Sequence, residues 1–277
     1  MSEKEILQIN VDEIIRSRSE TLYKKIPRFL IRYLEKIIHK DEINEFLRES
    51  SNKKDHDFVD AVNEFLDIKI EVHGFENIPD TGRYVFVANH PLGGLESMAM
   101  MKVIAGKYKN FVFVVNDLLM YLTPMKDIFI PINKLGVQSR ENLKLLNEVY
   151  ESDKQILYFP AGLVSRKIKG KIVDLQWQKS FVVRAIDTKR DIIPVYIDGK
   201  NSNYFYNLAN FRKKLGIKFN IEMMFLVNEM FKQRGQTIKL FFGKPISYST
   251  FDKSKSYLEW AEYLKNVVYG LKDESSK

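Results

Sequence analysis

From residue 68 onward the chain alternates short runs of β-branched and aromatic residues with longer stretches of helical spacing, and no other feature restricts its fold as much. Strands are expected near 68–74, 84–88, 111–115, 127–132, 155–159, 191–197 and 237–242. Helices are expected near 95–106, 140–151, 176–186, 203–214, 221–232 and 252–269. This alternation predicts an α/β protein with a mixed, largely parallel sheet flanked by helices. Before residue 68 only helical patterns occur. Pro27 stands at a helix start, and Leu30, Ile31, Tyr33, Leu34, Ile37 and Ile38 follow at near-helical spacing. Asp41 can cap a helix through Leu47, and another begins at Asp55 or His56 after a polar break at 49–55. The chain therefore divides into an N-terminal helical segment, 1–67, and an α/β domain, 68–277. A length of 277 residues suits one such domain with an appended segment. The tail from Lys272 has no apolar residue to anchor it and should fray.

The run Tyr84-Val-Phe-Val-Ala-Asn-His90-Pro-Leu-Gly-Gly-Leu-Glu96 ends an apolar strand in a histidine and opens a helix near a carboxylate. A hydroxyl nucleophile is poor until a neighbouring group takes its proton, and a free imidazole titrates near neutral pH. His90 is thus the candidate base, and Glu96 the acid that orients it. Pro91 with Gly93 and Gly94 should turn the chain tightly and leave amide N–H groups at a helix start, which suits an oxyanion or a phosphate. Asn89 and Ser97 are expected to brace the turn outside the chemistry. His39, His56 and His73 lack a comparable context. There is no phosphate-loop glycine spacing ending in Gly-Lys-Ser or Gly-Lys-Thr and no Gly-x-Ser-x-Gly elbow. A third ligand at diagnostic spacing from His90 and Glu96 is missing, so no metal is required. The absence of cysteine excludes disulfides and thiolate catalysis.

These residues resemble the lysophospholipid/glycerolipid acyltransferase superfamily, which uses a histidine followed closely by an acidic residue. The form Asn89-His-Pro-Leu-Gly-Gly94 is similar to its hemolysin-like or amino-acid-lipid acyltransferase branch. Five residues, Pro91 to Leu95, separate His90 from Glu96, one more than in the commonest family pattern, and glutamate replaces aspartate. Ile156-Leu-Tyr-Phe-Pro160-Ala-Gly162-Leu-Val-Ser165-Arg166 sits where the family has a strand followed by Phe-Pro-Glu-Gly-Thr-Arg. Phe159, Pro160 and Gly162 match; Ala161 replaces the glutamate, and Arg166 lies beyond the family arginine. The family strand that leads to a further arginine corresponds to Ile128–Lys134, where Lys134 or Arg140 would have to substitute. Asp191–Gly199 resembles a later family strand, and Gly199-Lys-Asn-Ser202 the branch. The resemblance extends over roughly residues 70 to 247.

The resemblance implies transfer of a fatty acyl group from a thioester of acyl carrier protein (acyl-ACP) or coenzyme A (acyl-CoA) to the hydroxyl of a lysolipid, with no cofactor. It assigns His90 as general base and Glu96 as its partner. Gly93 and Gly94 amides would serve the oxyanion. Lys134, Gly162, Ser165 and Arg166 would bind the acceptor or an anion. The acceptor is lysophosphatidic acid or a lyso amino-acid lipid; the missing phosphate-block glutamate favours the latter. Two alternatives stay open: a thioesterase or lysophospholipase using the same pair on water, and a non-catalytic lipid-binding protein of this fold.

Lys and Arg number 44 against 36 Asp and Glu, giving a net charge of +8 and a preference for anionic surfaces. No nucleic-acid recognition pattern accompanies the charge, so an anionic membrane surface is the expected partner and nucleic acid is not. No secretory signal is visible, and no apolar run approaches the roughly 20 residues that span a bilayer. A cytoplasmic protein, peripheral on the inner face of the membrane, is expected. In residues 23–39 Lys24, Lys25, Arg28 and Arg32 adjoin the apolar stripe, which either lies on the membrane or packs on the α/β domain.

Overall fold

All seven β-rich runs pair into one sheet. The computed structural model of the chain describes residues 7–132 and 139–274. Its strands are β1 (Lys69–His73), β2 (Tyr84–Ala88), β3 (Phe111–Asn116), β4 (Phe129–Ile132), β5 (Gln155–Tyr158), β6 (Arg166–Ile168), β7 (Lys171–Val173), β8 (Asp191–Asp198) and β9 (Thr237–Phe242). The main sheet has the order β1-β9-β8-β2-β5-β3-β4. Every neighbouring pair in it is parallel except β8 with β9. The short β6–β7 hairpin stands apart as an antiparallel pair and is not expected from the sequence, because three residues per strand leave no pattern to read.

The central strand β2 shows why the sheet is covered on both sides. Val85 and Val87 face one apolar cluster, built with α7 (Arg140–Glu151), α8 (Ser180–Asp187) and α11 (Tyr257–Glu274). Phe86 and Ala88 face the other, which includes α5 (Asp55–Phe65) and α6 (Leu95–Lys107). Alternate side chains point to opposite faces of a strand, so a run with no polar residue must be buried on both. Each large apolar side chain buried this way contributes about 1.5–3 kcal/mol, which makes β2 a rigid mount for the turn at its carboxyl end.

The N-terminal helices are α1 (Val11–Arg18), α2 (Glu20–Lys25), α3 (Arg28–Ile37), α4 (Lys40–Glu49) and α5. Phe46, Leu47, Phe58, Val59, Val62 and Leu66 join the same cluster as Phe86, so α4 and α5 share a core with the sheet. The His39 ring stacks on Phe231 of α10 (Leu226–Lys232), with centroids 3.9 Å apart. The apolar stripe of α3 is divided. Ile31 and Ile37 are buried, whereas Phe29, Leu30 and Tyr33 are exposed. Among the described residues no helix is long and apolar enough to cross a membrane.

Candidate active site

The chain leaves β2 at its carboxyl end, the edge of an α/β sheet where ligand sites gather. Asn89 anchors this exit. Its side-chain amide donates to Ile197 O (2.9 Å) and its Oδ1 accepts from Ile197 N (2.7 Å), joining the exit to β8. The backbone of His90 is held as tightly. Its N–H donates to Asp174 Oδ1 (3.1 Å), and its carbonyl accepts from Ser165 N (2.7 Å). Ser165 Oγ donates to Asp174 Oδ1 at 2.5 Å, Trp177 Nε1 donates to Oδ2 at 2.9 Å, and the Asp174 N–H donates to the Tyr269 hydroxyl oxygen at 2.8 Å. The imidazole lies on the Phe159 ring, with centroids 4.4 Å apart and planes 21° from parallel. A histidine fixed at backbone and ring keeps few orientations.

Its Nδ1 sits 2.9 Å from Glu96 Oε1. The Glu96 side chain is fully buried, and that of His90 is 14% exposed. Since a carboxylate only accepts, Nδ1 carries the proton, which in the neutral imidazole leaves the lone pair on Nε2. Three backbone amides complete the cradle: Leu92 N (2.8 Å) and Gly93 N (2.9 Å) donate to Oε1, and Gly94 N (2.8 Å) to Oε2. Burial alone would push this carboxyl up. The charge and hydrogen bond of His90, with the Gly93 and Gly94 amides, outweigh burial and hold it below the usual carboxylate range.

The geometry corrects one expectation. The Gly93 and Gly94 amides do not face outward toward an oxyanion; they are committed to Glu96. Gly93 is required for two reasons, a φ of +96° and a Cβ that would fall 2.8 Å from Leu226 Cδ2 and 2.9 Å from Val164 Cγ2. Gly94 carries no such demand, since its φ of 171° is extended and nothing lies within 4 Å of a Cβ there.

The residues expected to bind an anion are also engaged elsewhere. Arg166 is buried and donates to Val164 O (2.7 Å) and Glu222 Oε1 (3.0 Å), while Arg212 Nε donates to Glu222 Oε2 (2.7 Å). Burial lowers the Arg166 pKa, against the opposing pull of Glu222. The guanidinium is thus part of an internal clamp between β6 and the turn Ile221–Phe225, not an anion receptor. Ser165 braces His90 through its backbone and Asp174. Gly162 adopts a φ of +68°, and its N–H donates to Phe159 O (3.0 Å), so it closes the turn after β5. Lys134 lies outside the described residues. Arg140 lines a surface hollow of about 820 Å³ along α7 that does not include His90.

Sequence reasoning does not single out Asp174, Trp177, Tyr269 or Glu222. Asp174 lies 84 positions from His90 and Glu222 lies 56 from Arg166, so neither pair leaves a local spacing to detect. Asn201, whose Nδ2 donates to Pro91 O at 3.3 Å, ties the His90–Glu96 turn to the start of α9 (Asn203–Lys214). Among the described residues no three His, Asp or Glu side chains gather as a metal site. The assembled features are a partly exposed imidazole with a free lone pair, a buried carboxylate behind it, and a stacked aromatic floor. Such a pair can take a proton from a hydroxyl or from water.

A family model described as Acyltransferase matches residues 13–276. The lyso-glycine lipid O-acyltransferase of Bacteroides thetaiotaomicron is 49% identical over 272 residues, 98% of this chain and 100% of that protein. Its counterpart in Phocaeicola vulgatus is 47% identical over 272 residues, covering 98% of each. The crystal structure of the 1-acyl-sn-glycerophosphate (LPA) acyltransferase PlsC from Thermotoga maritima aligns over 91% of this chain and 84% of that one, at 18% identity and a TM-score of 0.48.

Proposed function

The chain belongs to the acyltransferase family, and on that premise we propose that it moves a fatty acyl group from a thioester to the hydroxyl of a lyso amino-acid lipid, a lyso-glycine lipid foremost. The observation that carries this reading is the His90–Glu96 pair, with Nδ1 against the carboxylate and Nε2 open. The acceptor is taken from the names of the two relatives, which match this chain almost end to end. His90 Nε2 takes the acceptor proton as the oxygen attacks the thioester carbonyl carbon. Glu96 stabilises the imidazolium that forms. The carbon–sulfur bond then breaks, and the imidazolium returns its proton to the departing thiolate. Acyl carrier protein and coenzyme A both fit as the thiol, the reaction needs no cofactor, and the enzyme works peripherally at the inner face of an anionic membrane.

The test is incubation of purified protein with isotopically labelled acyl-ACP or acyl-CoA and a panel containing lyso-glycine lipid and lysophosphatidic acid, followed by mass spectrometry. Diacylated glycine lipid formed in proportion to acceptor is expected. Release of free fatty acid without acceptor would replace this reading with a thioesterase or lysophospholipase. Binding of lipid without product would leave a lipid-binding protein.

A further inference from the structure

One segment joins the His90–Glu96 turn to an exposed surface rich in apolar and basic residues. Phe205 and Tyr206 of α9 pack with Val164 and with Met223 and Leu226 in a small separate core. Val164 and Leu226 are also the side chains that abut Gly93, so this core sits directly against the His90–Glu96 turn. The outer side of the same segment is largely uncovered. Every residue from 213 to 219 is exposed, and so is Phe211. The apolar members are conspicuous: Phe211 is 60% exposed, Leu215 58% and Phe219 67%, with Ile217 beside them. Isolated exposed apolar residues are ordinary, but four within nine positions form a patch that calls for a partner.

Charge identifies the partner. Between Asp198 and Glu222 there is no acidic residue, while Lys200, Arg212, Lys213, Lys214 and Lys218 fall there. Arg212 is turned inward to Glu222. Among the described residues no carboxylate pairs with Lys213, Lys214 or Lys218. Large apolar side chains interleaved with unneutralised ammonium groups match a bilayer interface, where the rings and branched chains enter the acyl boundary and the lysines meet anionic headgroups. The turn Ile221–Phe225 also packs against α3, whose exposed Phe29, Leu30 and Tyr33 extend the apolar surface beside it.

We propose that residues 211–219 form the bilayer-docking surface of this protein and that its ligand is an anionic lipid membrane. The location rests on the exposed chemistry alone; the purpose rests on the lysolipid reading above. Docking there brings the Gly93 turn to the interface through the shared core, so an amphiphilic acceptor reaches His90 with its acyl chain still among the lipids.

The experiment is sedimentation with vesicles free of lysolipid, made either of phosphatidylcholine or of phosphatidylcholine with phosphatidylglycerol, at low and high salt. Two variants are compared with wild type at equal melting temperature: Phe211→Ser/Leu215→Ser/Ile217→Ser/Phe219→Ser, and Lys213→Gln/Lys214→Gln/Lys218→Gln. The apolar variant is expected to lose at least about tenfold in partitioning to both vesicles, since membrane affinity follows buried apolar area. The lysine variant is expected to lose the preference for anionic vesicles and most of its salt dependence. The single change Phe219→Ser, at a site with no core contact, covers the case in which the quadruple variant does not fold, and should by itself lower binding several-fold. Wild-type binding by the apolar variant, or by Phe219→Ser in its place, overturns the proposal. So does a change from dimer to monomer with vesicle binding intact, which would assign the patch to a second copy of the chain. Acyl transfer to acceptor dispersed below its micelle concentration is measured in parallel. Its absence in wild type, with the vesicle results as expected, defeats the lysolipid reading and leaves the docking surface standing.

Discussion

Glu96 and Glu222 are both fully buried carboxylates, and their partners set them apart. Glu96 faces one imidazole and three backbone amides; Glu222 faces the guanidiniums of Arg166 and Arg212. A guanidinium is charged at every accessible pH, so Glu222 always faces fixed positive charge and serves as a clamp. An imidazole changes charge during a proton transfer, so the first must accommodate two states. Backbone amides suit that task, because they stabilise the carboxylate whether or not His90 is protonated. The same residue type, equally buried, is therefore structural in one place and suited to chemistry in the other.

The largest expected effect separates these roles. His90→Ala removes the base and should lower kcat by about 10²–10⁴-fold, the usual span for general-base catalysis, with little change in melting temperature. Glu222→Gln should do the reverse. It leaves two largely buried guanidiniums without their counter-charge and should cost about 3–5 kcal/mol in denaturant unfolding, while kcat per folded molecule stays near wild type. If Glu222→Gln abolished turnover in folded protein, or His90→Ala kept it, the division between clamp and site would fail.

A smaller effect reads the charge of Glu96 directly. Its carboxyl is held below the ordinary value of 4.5, so the unfolded chain binds its proton at higher pH than the native state does. The stabilisation is complete above 4.5 and drains away as pH falls through the lower native value. Acid titrations of wild type and Glu96→Gln followed by circular dichroism should therefore show a stability gap at neutral pH that narrows across that acidic window. A gap independent of pH would mean that Glu96 is not ionised in the native state.

The same division governs how much the sequence could reveal. The His90–Glu96 pair is local, six positions apart, and its strand-turn-helix context is written in one run of residues. The strands are legible because buried central strands such as Val85–Ala88 and Val112–Val115 have no polar interruption. Asp174 and Glu222 are not legible, since their importance comes from partners brought together only by the sheet. The roles expected of Gly93, Gly94 and Arg166 fail for a related reason. Sequence shows which donors exist near a site, but only the fold shows which acceptors have already taken them. The docking surface is equally hidden, because the end of α9 and the residues after it read as an ordinary helix terminus until their outer side is found uncovered.

The smallest effect concerns the cations of residues 23–39, for which the sequence leaves membrane contact and packing on the α/β domain both open. Lys24 lies 3.6 Å from Glu20, and Arg28 lies 2.6 Å from Asp12. Two of the four cations in that set thus already have carboxylate neighbours, whereas Lys213, Lys214 and Lys218 have none among the described residues. Exposed pairs of this kind contribute little to folding, so replacing the set should leave the protein folded. Lys24→Gln/Lys25→Gln/Arg28→Gln/Arg32→Gln should accordingly reduce binding to anionic vesicles by less than the triple lysine variant does, and high salt should erase the difference between them. A larger loss from the N-terminal set, measured by the same sedimentation assay, would move the electrostatic anchor back to α2 and α3 and leave residues 211–219 with the apolar part of the contact alone.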